Sequence, residues 1–217
     1  MIIRREGEGG HGIPAPGSIS ENVVRQPSKI DRAARWAALS TRGATVWLTG
    51  LPASGKSTIA DMVEARLVGQ GISAYRLDGD NLRHGINGNL GFSPEDRTEN
   101  VRRTAHVARL LADSGTITLV SLVSPYVADR DAARKIHEDI GLDYVEVFVD
   151  TPLEECERRD PKGLYAKARA GEITGMTGVD DPYEAPPSPD LAITPGDLDA
   201  AADAVLDLLR TRGGLTS

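Results

Sequence analysis

The segment Gly50-Leu51-Pro52-Ala53-Ser54-Gly55-Lys56-Ser57 fills the pattern G-x-x-x-x-G-K-S/T, a spacing suited to binding a chain of phosphates. Its glycines let consecutive backbone N–H groups turn toward phosphate oxygens, and a helix starting at its end adds its positive pole. Lys56 has the reach and charge for a β- or γ-phosphate, and the Ser57 hydroxyl is a hard oxygen ligand for Mg²⁺. The stretch from Gly50 to Thr58 therefore reads as a nucleoside-triphosphate site. A glycine-rich turn can match the same pattern by chance, but the flanks argue for function. Residues 45–49 are β-branched and apolar, and beyond the loop apolar side chains recur at 59, 62, 63 and 67, as on an amphipathic helix.

A phosphate loop alone does not name a reaction. The chain lacks an Asn-Lys-x-Asp guanine-reading pattern and an apolar strand ending in Asp-Glu. It has instead Leu77-Asp78-Gly79-Asp80-Asn81-Leu82-Arg83, directly after a second expected strand. In parallel sheets the carboxyl ends of strands line the ligand crevice. Asp78, at the strand end, is placed to hold Mg²⁺ through water or to orient an attacking hydroxyl. A polar turn explains the same residues, with Asp80 as the cap of the next helix.

In Leu90–Arg103, Ser93 is a good N-cap, Pro94 takes the first helical position and Asp96 stands at capping-box spacing. Arg97 and Asn100 then share one helix face. With Arg83 they make two guanidiniums and an amide suited to a second anionic ligand. Phe92 is either a stacking platform for a base or a hydrophobic staple onto the helix. Arg102 and Arg103 fit a solvated face equally well. A third basic stretch, Arg158–Arg169 with Lys162, stands where a lid (about 158–180) would close over phosphates and exclude water. Its bland alternative is an ordinary charged helix.

The elements that must position these groups alternate along the chain. Strands are expected at 45–49, 73–77, 116–123, 144–149 and 191–194, and helices near 31–39 and at 56–69, 94–113, 128–139, 152–158, 162–170 and 197–211. That order implies an α/β fold with a mostly parallel five-stranded sheet covered on both faces. Residues 1–21, rich in Gly, Pro, Ser and charge, read as a flexible tail, and 22–217 as one domain. Aromatics make up only 4%, so the core is expected to be aliphatic. A net charge of −7 argues against a general nucleic-acid or membrane-surface binder. Cys156 is the single cysteine, which excludes an intramolecular disulfide and a cysteine metal cluster. The four histidines show no metal-ligand spacing. With neither a long apolar run nor a signal-peptide core, the expected location is the cytoplasm.

The segments Gly50–Thr58, Asp78–Arg83, Leu90–Arg103, Ser121–Arg130 and Arg159–Tyr183 together resemble adenylylsulfate kinase, a P-loop small-molecule kinase family with an NMP-kinase-like sheet. The resemblance runs from about Asn22 to the last helix. It implies Mg²⁺-ATP-dependent phosphorylation of the 3′-hydroxyl of adenosine 5′-phosphosulfate (APS), within sulfate activation. By that resemblance Lys56, Asp78 and Ser124 are catalytic, Ser124 matching the family's phosphoserine. Ser57 and Asp78 serve the metal. Arg83, Arg97 and Asn100 grip the phosphosulfate and sugar, Phe92 stacks on the adenine, and Asp80 and Lys162 join the substrate site. A homodimer and an association with ATP sulfurylase are implied as well. In-line transfer needs no covalent step, so Ser124 can equally bond a substrate oxygen.

This chain also departs from the family. Pro52-Ala53 replaces the usual Ser-Gly, a tolerable change if the required glycines are 50 and 55. Gly88 and Asn89 replace a polar residue and an Asp. Met176 stands where a phenylalanine closes the adenine sandwich, and Asn22–Gln26 lacks an aromatic–His pair. Two other readings use the same residues. One is a non-catalytic nucleotide-binding partner of ATP sulfurylase; the other is a kinase for a different small metabolite.

Overall fold

A computed structural model describes Val24, Gln26, residues 28–194 and residues 196–213. The expectations for residues 1–21, and for most of Asn22–Gln26, fall outside the described residues. The chain divides into two units, 1–30 and 31–217, and among the described residues every helix and strand belongs to the second.

Strands β1 (Ala44–Thr49), β2 (Ala74–Asp78), β3 (Ile117–Ser121), β4 (Asp143–Val149) and β5 (Leu191–Ile193) form one sheet in the order β2-β3-β1-β4-β5. Every neighbouring pair is parallel, so the sheet is wholly rather than mostly parallel. The helices are α1 (Arg32–Leu39), α2 (Lys56–Gly69), α3 (Gly79–Arg83), α4 (Pro94–Ser114), α5 (Val127–Glu138), α6 (Leu153–Arg159), α7 (Leu164–Arg169) and α8 (Leu198–Thr211).

Alternation along β1 sends its side chains to two cores. Ala44, Val46 and Leu48 pack with Ile59, Val63 and Leu67 of α2 and with Val205 and Leu209 of α8. Trp47 packs on the other face with Val101, Ala105 and Ala108 of α4 and Ala133 of α5. Each fully buried large aliphatic side chain contributes about 1.5–3 kcal/mol. The sheet is thus held from both sides, and its carboxyl edge is where the connections after β1, β2, β3 and β4 gather.

Two elements differ from expectation. The apolar run 116–123 is strand only to Ser121. Its last ladder bond is Leu122 N–H to Leu48 O at 3.2 Å; the next carbonyl, of Val123, takes the Thr49 hydroxyl at 2.7 Å in place of a backbone donor. The chain bends away, with Ser124 in the left-handed region at φ +41°. The single-turn helix α3 has no apolar period to announce it. Its cap is Asp78, whose Oδ1 accepts from the Asp80 N–H at 3.0 Å, which corrects the reading of Asp80 as the cap. The start of α4 is as read, with Ser93 Oγ accepting from Asp96 N–H at 3.2 Å.

His137 of α5 is fully buried. Its Nδ1 donates to Ala133 O at 2.8 Å and its Nε2 accepts from the Thr45 hydroxyl at 3.0 Å. Burial pushes its pKa down to about 4. The unfolded chain therefore takes up this proton first as pH falls below the ordinary histidine value of about 6.5. His137 alone should lower the unfolding free energy by about 1.4 kcal/mol per pH unit from there toward its folded pKa. Denaturant titrations of the natural protein and His137→Gln between those limits should show this extra slope only with histidine present.

Candidate active site

Because β1 lies between β3 and β4, its loop emerges at mid-edge. Gly50 has φ +148°, and a Cβ there would lie 2.6 Å from Val149 O; no other residue fits. Gly55 leads into α2 at φ +108°. Ala53 is also left-handed, at φ +60°. An L-residue is strained there by about 1–2 kcal/mol, so Ala53 carries a cost that a glycine would not. Lys56 is buried, and its Nζ donates to Gly50 O at 2.9 Å, Leu51 O at 2.6 Å and Ser54 Oγ at 3.2 Å. It folds over its own loop, and burial lowers its pKa to about 8.

Beside it stands the Asp78 carboxylate. Its Oδ2 accepts from Ser57 Oγ at 2.7 Å, from Ser121 Oγ at 3.0 Å and from Arg76 Nη1 at 3.1 Å. Ser121 is opposite Asp78 in the β2–β3 register, so sheet pairing itself makes that contact. Burial pushes the Asp78 carboxyl up, but the Ser57, Ser121 and Asp80 hydrogen bonds and the Arg76 charge outweigh it and hold the group below its usual range. Two hard oxygens, Ser57 Oγ and an Asp78 carboxylate oxygen, fit Mg²⁺ held mainly by phosphates and water. Among the described residues no cluster of three His, Cys, Asp or Glu could hold a metal by itself.

Lys56, Ser57 and Asp78 open into a cleft of about 660 Å³, lined also by Asp80, Arg83, Phe92, Arg97, Asn100, Lys162 and Met176. Phe92 is 62% exposed, so it is not a staple. It carries the Arg83 guanidinium 4.2 Å from its ring centre, while Arg83 Nη1 holds Leu90 O and Gly91 O, each at 3.0 Å. Arg97 is tied on every nitrogen. Nε bonds Phe92 O at 3.0 Å, Nη1 bonds Thr177 Oγ1 at 2.8 Å, and Nη2 bonds Gly175 O. It therefore braces the Phe92 wall against the Gly175–Thr177 loop, and the second N–H on each of its Nη atoms is not used by these bonds.

Met176 borders the cleft but is 7% exposed and packs with Tyr165 and Cys156. It thus belongs at once to a small core with these two side chains and to the border of the cleft. The Lys162 ammonium meets Asp80 across the cleft mouth. Thr58, in the first turn of α2, is exposed. Arg102 and Arg103 pair with Glu99 on the α4 surface, the solvated face allowed for in the sequence.

Ser124 also borders the cleft, yet its hydroxyl belongs to a closed network. It accepts from Trp47 Nε1–H at 3.0 Å and donates to Thr49 Oγ1 at 3.1 Å. Arg130 fixes the surrounding loop, with Nη1 to Ser124 O at 2.6 Å, Nη2 to Glu184 O at 2.6 Å and Nε to Glu146 Oε1 at 2.7 Å. Ser121, Arg76, Arg130 and Asn87 were not singled out from sequence. Period two along β2 puts Arg76 on the side of Asp78, a signal that was there to be used; Arg130 and Asn87 have none.

A family model described as adenylylsulphate kinase matches residues 42–194. The bifunctional enzyme CysN/CysC of Mycobacterium tuberculosis is 57% identical over 193 residues, which is 88% of this chain and 31% of that one. The chain thus spans about a third of that relative's length. The adenylyl-sulfate kinase of Clostridium acetobutylicum is 52% identical over 174 residues, covering 80% of this chain and 86% of that one. The structure of the Mycobacterium tuberculosis APS kinase CysC in complex with AMPPNP and APS superposes with a TM-score of 0.77 at 61% identity, over 78% of this chain and 99% of that one. Among the described residues no helix is long and apolar enough to cross a membrane.

With a folded pKa of about 8, Lys56 is mostly neutral at pH 8.5, and phosphate anions brought beside it raise that pKa. Nucleotide binding at this pH should take up about half a proton or more. Calorimetry in buffers of different ionisation enthalpy measures it, and Lys56→Arg should abolish the uptake.

Proposed function

The chain belongs to the adenylylsulphate kinase family, and on that premise we propose that it transfers the γ-phosphoryl group of ATP to the 3′-hydroxyl of APS, giving 3′-phosphoadenylyl sulfate and ADP. The observation that carries this reading is the meeting of Ser57 Oγ and Asp78 Oδ2 at 2.7 Å, in one cleft with the exposed Phe92 ring. A phosphate-binding loop, a carboxylate and an aromatic wall for a second nucleotide are the parts such a transfer needs.

The loop N–H groups and the start of α2 bind the phosphate chain, and Lys56 turns from its loop carbonyls to the transferred group. Ser57 and Asp78 would hold Mg²⁺, and the ion, when bound, would supply charge neutralisation to the phosphates. Asp78, kept ionised by its donors, accepts a hydrogen bond from the attacking hydroxyl and orients it. Phe92 and Arg83 bind the base side of APS, and Asn100 donates to its oxygens. Closure of 158–180, latched by Lys162 on Asp80, excludes water that would otherwise hydrolyse ATP.

Transfer is direct and in line. Ser124 positions the loop through Trp47 and Thr49 and carries no phosphate, because its hydroxyl is buried and already paired on both sides. We include in the proposal a homodimer in the cytoplasm and a working link to ATP sulfurylase. The relative named a bifunctional enzyme supports a link to a second activity.

Steady-state ADP release from Mg-ATP with APS, beside AMP, gluconate and no acceptor, tests the reading. APS-dependent turnover should fall about 100-fold or more in Asp78→Ala and stay within about tenfold of natural in Ser124→Ala. Turnover with another acceptor only, or none at all, sinks the proposal. Met176→Phe should lower the KM for APS with little change in kcat. Its crowded site should also cost about 1–3 kcal/mol of stability, readable as a lower Tm; equal KM values would remove Met176 from the adenine site.

A further inference from the structure

We propose that Asn87 is a positioning residue that orients the Asn100 amide, so that Asn100 meets the second substrate only as a hydrogen-bond donor. The inference rests on the reading of Asn100 as a ligand of APS. Asn87 lies in the turn after α3, fully buried and outside the cleft lining. Its backbone is held at both ends, N–H to Leu82 O at 2.9 Å and C=O from Leu90 N–H at 3.1 Å. Its Nδ2 donates to Asn100 Oδ1 at 2.6 Å and to Thr104 Oγ1 at 3.4 Å.

The direction of this chain of bonds is set by Thr104. A hydroxyl has one proton to give, and Thr104 gives it to the Asn100 main-chain carbonyl at 2.8 Å. Toward Asn87 its oxygen can therefore only accept. The group of Asn87 facing it must be the NH₂, and that same NH₂ faces Asn100. The Asn100 side chain must answer with its carbonyl oxygen. Its own NH₂ makes no hydrogen bond among the described residues and is left for the cleft that Asn100 lines.

Asn87 Oδ1 is buried with no partner. Leaving an acceptor unpaired is unfavourable, so Asn87 does not sit this way for its own satisfaction. What the arrangement secures is the polarity of Asn100. An amide alone can turn either face to a ligand; this one can present only its N–H groups, which suit the sugar and anionic oxygens of APS and reject a donor at the same place.

The test is a cycle of Asn87→Asp and Asn100→Ala, read as separate KM values for APS and ATP. A carboxylate at 87 offers only acceptors, so Asn100 must turn its NH₂ inward and show its oxygen to the substrate. Asn87→Asp should raise the KM for APS about tenfold and leave that for ATP unchanged. On the Asn100→Ala background it should add nothing. If Asn87→Asp does not fold, Asn87→Leu, close in volume, should raise the KM for APS about threefold and likewise add nothing there. Equal effects on both backgrounds, a parallel rise in the KM for ATP, or no effect of either substitution at 87 overturns the proposal. An unchanged KM in Asn100→Ala alone overturns instead the reading of Asn100 on which it rests.

Discussion

One carboxylate oxygen, Oδ2 of Asp78, joins three parts of the chain that are distant in sequence. Ser57 from the start of α2, Ser121 from the end of β3 and Arg76 from within β2 all donate to it. Its second oxygen caps α3. A buried carboxylate is stable only when such donors meet its lone pairs. Those donors exist because β2, β3 and β1 end side by side in a parallel sheet. The phosphate loop, the turn after β2 and the end of β3 are thus located relative to one another by hydrogen bonds to a single anion.

The cleft walls depend on a related constraint. Loops leaving a parallel sheet carry backbone carbonyls with no strand to pair them, and each needs a donor from a side chain or from water. Arginine solves this repeatedly here. Arg83 holds Leu90 and Gly91, Arg97 holds Phe92 and Gly175, and Arg130 holds Ser124 and Glu184. Its planar fork of five donors can bind two carbonyls and a third group at once, which lysine cannot do with fixed geometry. A sequence reading sees positive charge and infers a grip on an anion. The fold uses much of that charge as bracing.

The same distinction explains Ser124. A serine at the end of an apolar run looks available, yet the strand stops three residues earlier and the left-handed turn at Ser124 directs its hydroxyl to Trp47 and Thr49. Ala53 is similar. Gly50 and Gly55 satisfy the pattern, but only the traced backbone reveals a third left-handed position between them, occupied by a residue with a Cβ.

Local chemistry was enough to determine the phosphate loop, the capped start of α4, the alternation of strands and helices and the family, because each rests on short-range spacing or backbone demands of particular residues. The two-sided core followed too, since buried parallel strands must be apolar on both faces. The tertiary structure decided strand order, the Asp78–Ser121 pairing, the shift of the α3 cap to Asp78 and the hydrogen-bond partners of Arg97, Arg130, Ser124 and Asn87. Each of these depends on which partner lies across the sheet edge or in the next loop. Hydrogen-bond direction at a buried site is a property of that neighbourhood, and residues such as Asn87 and Thr104, seventeen apart in the chain, acquire it only when the fold brings them together.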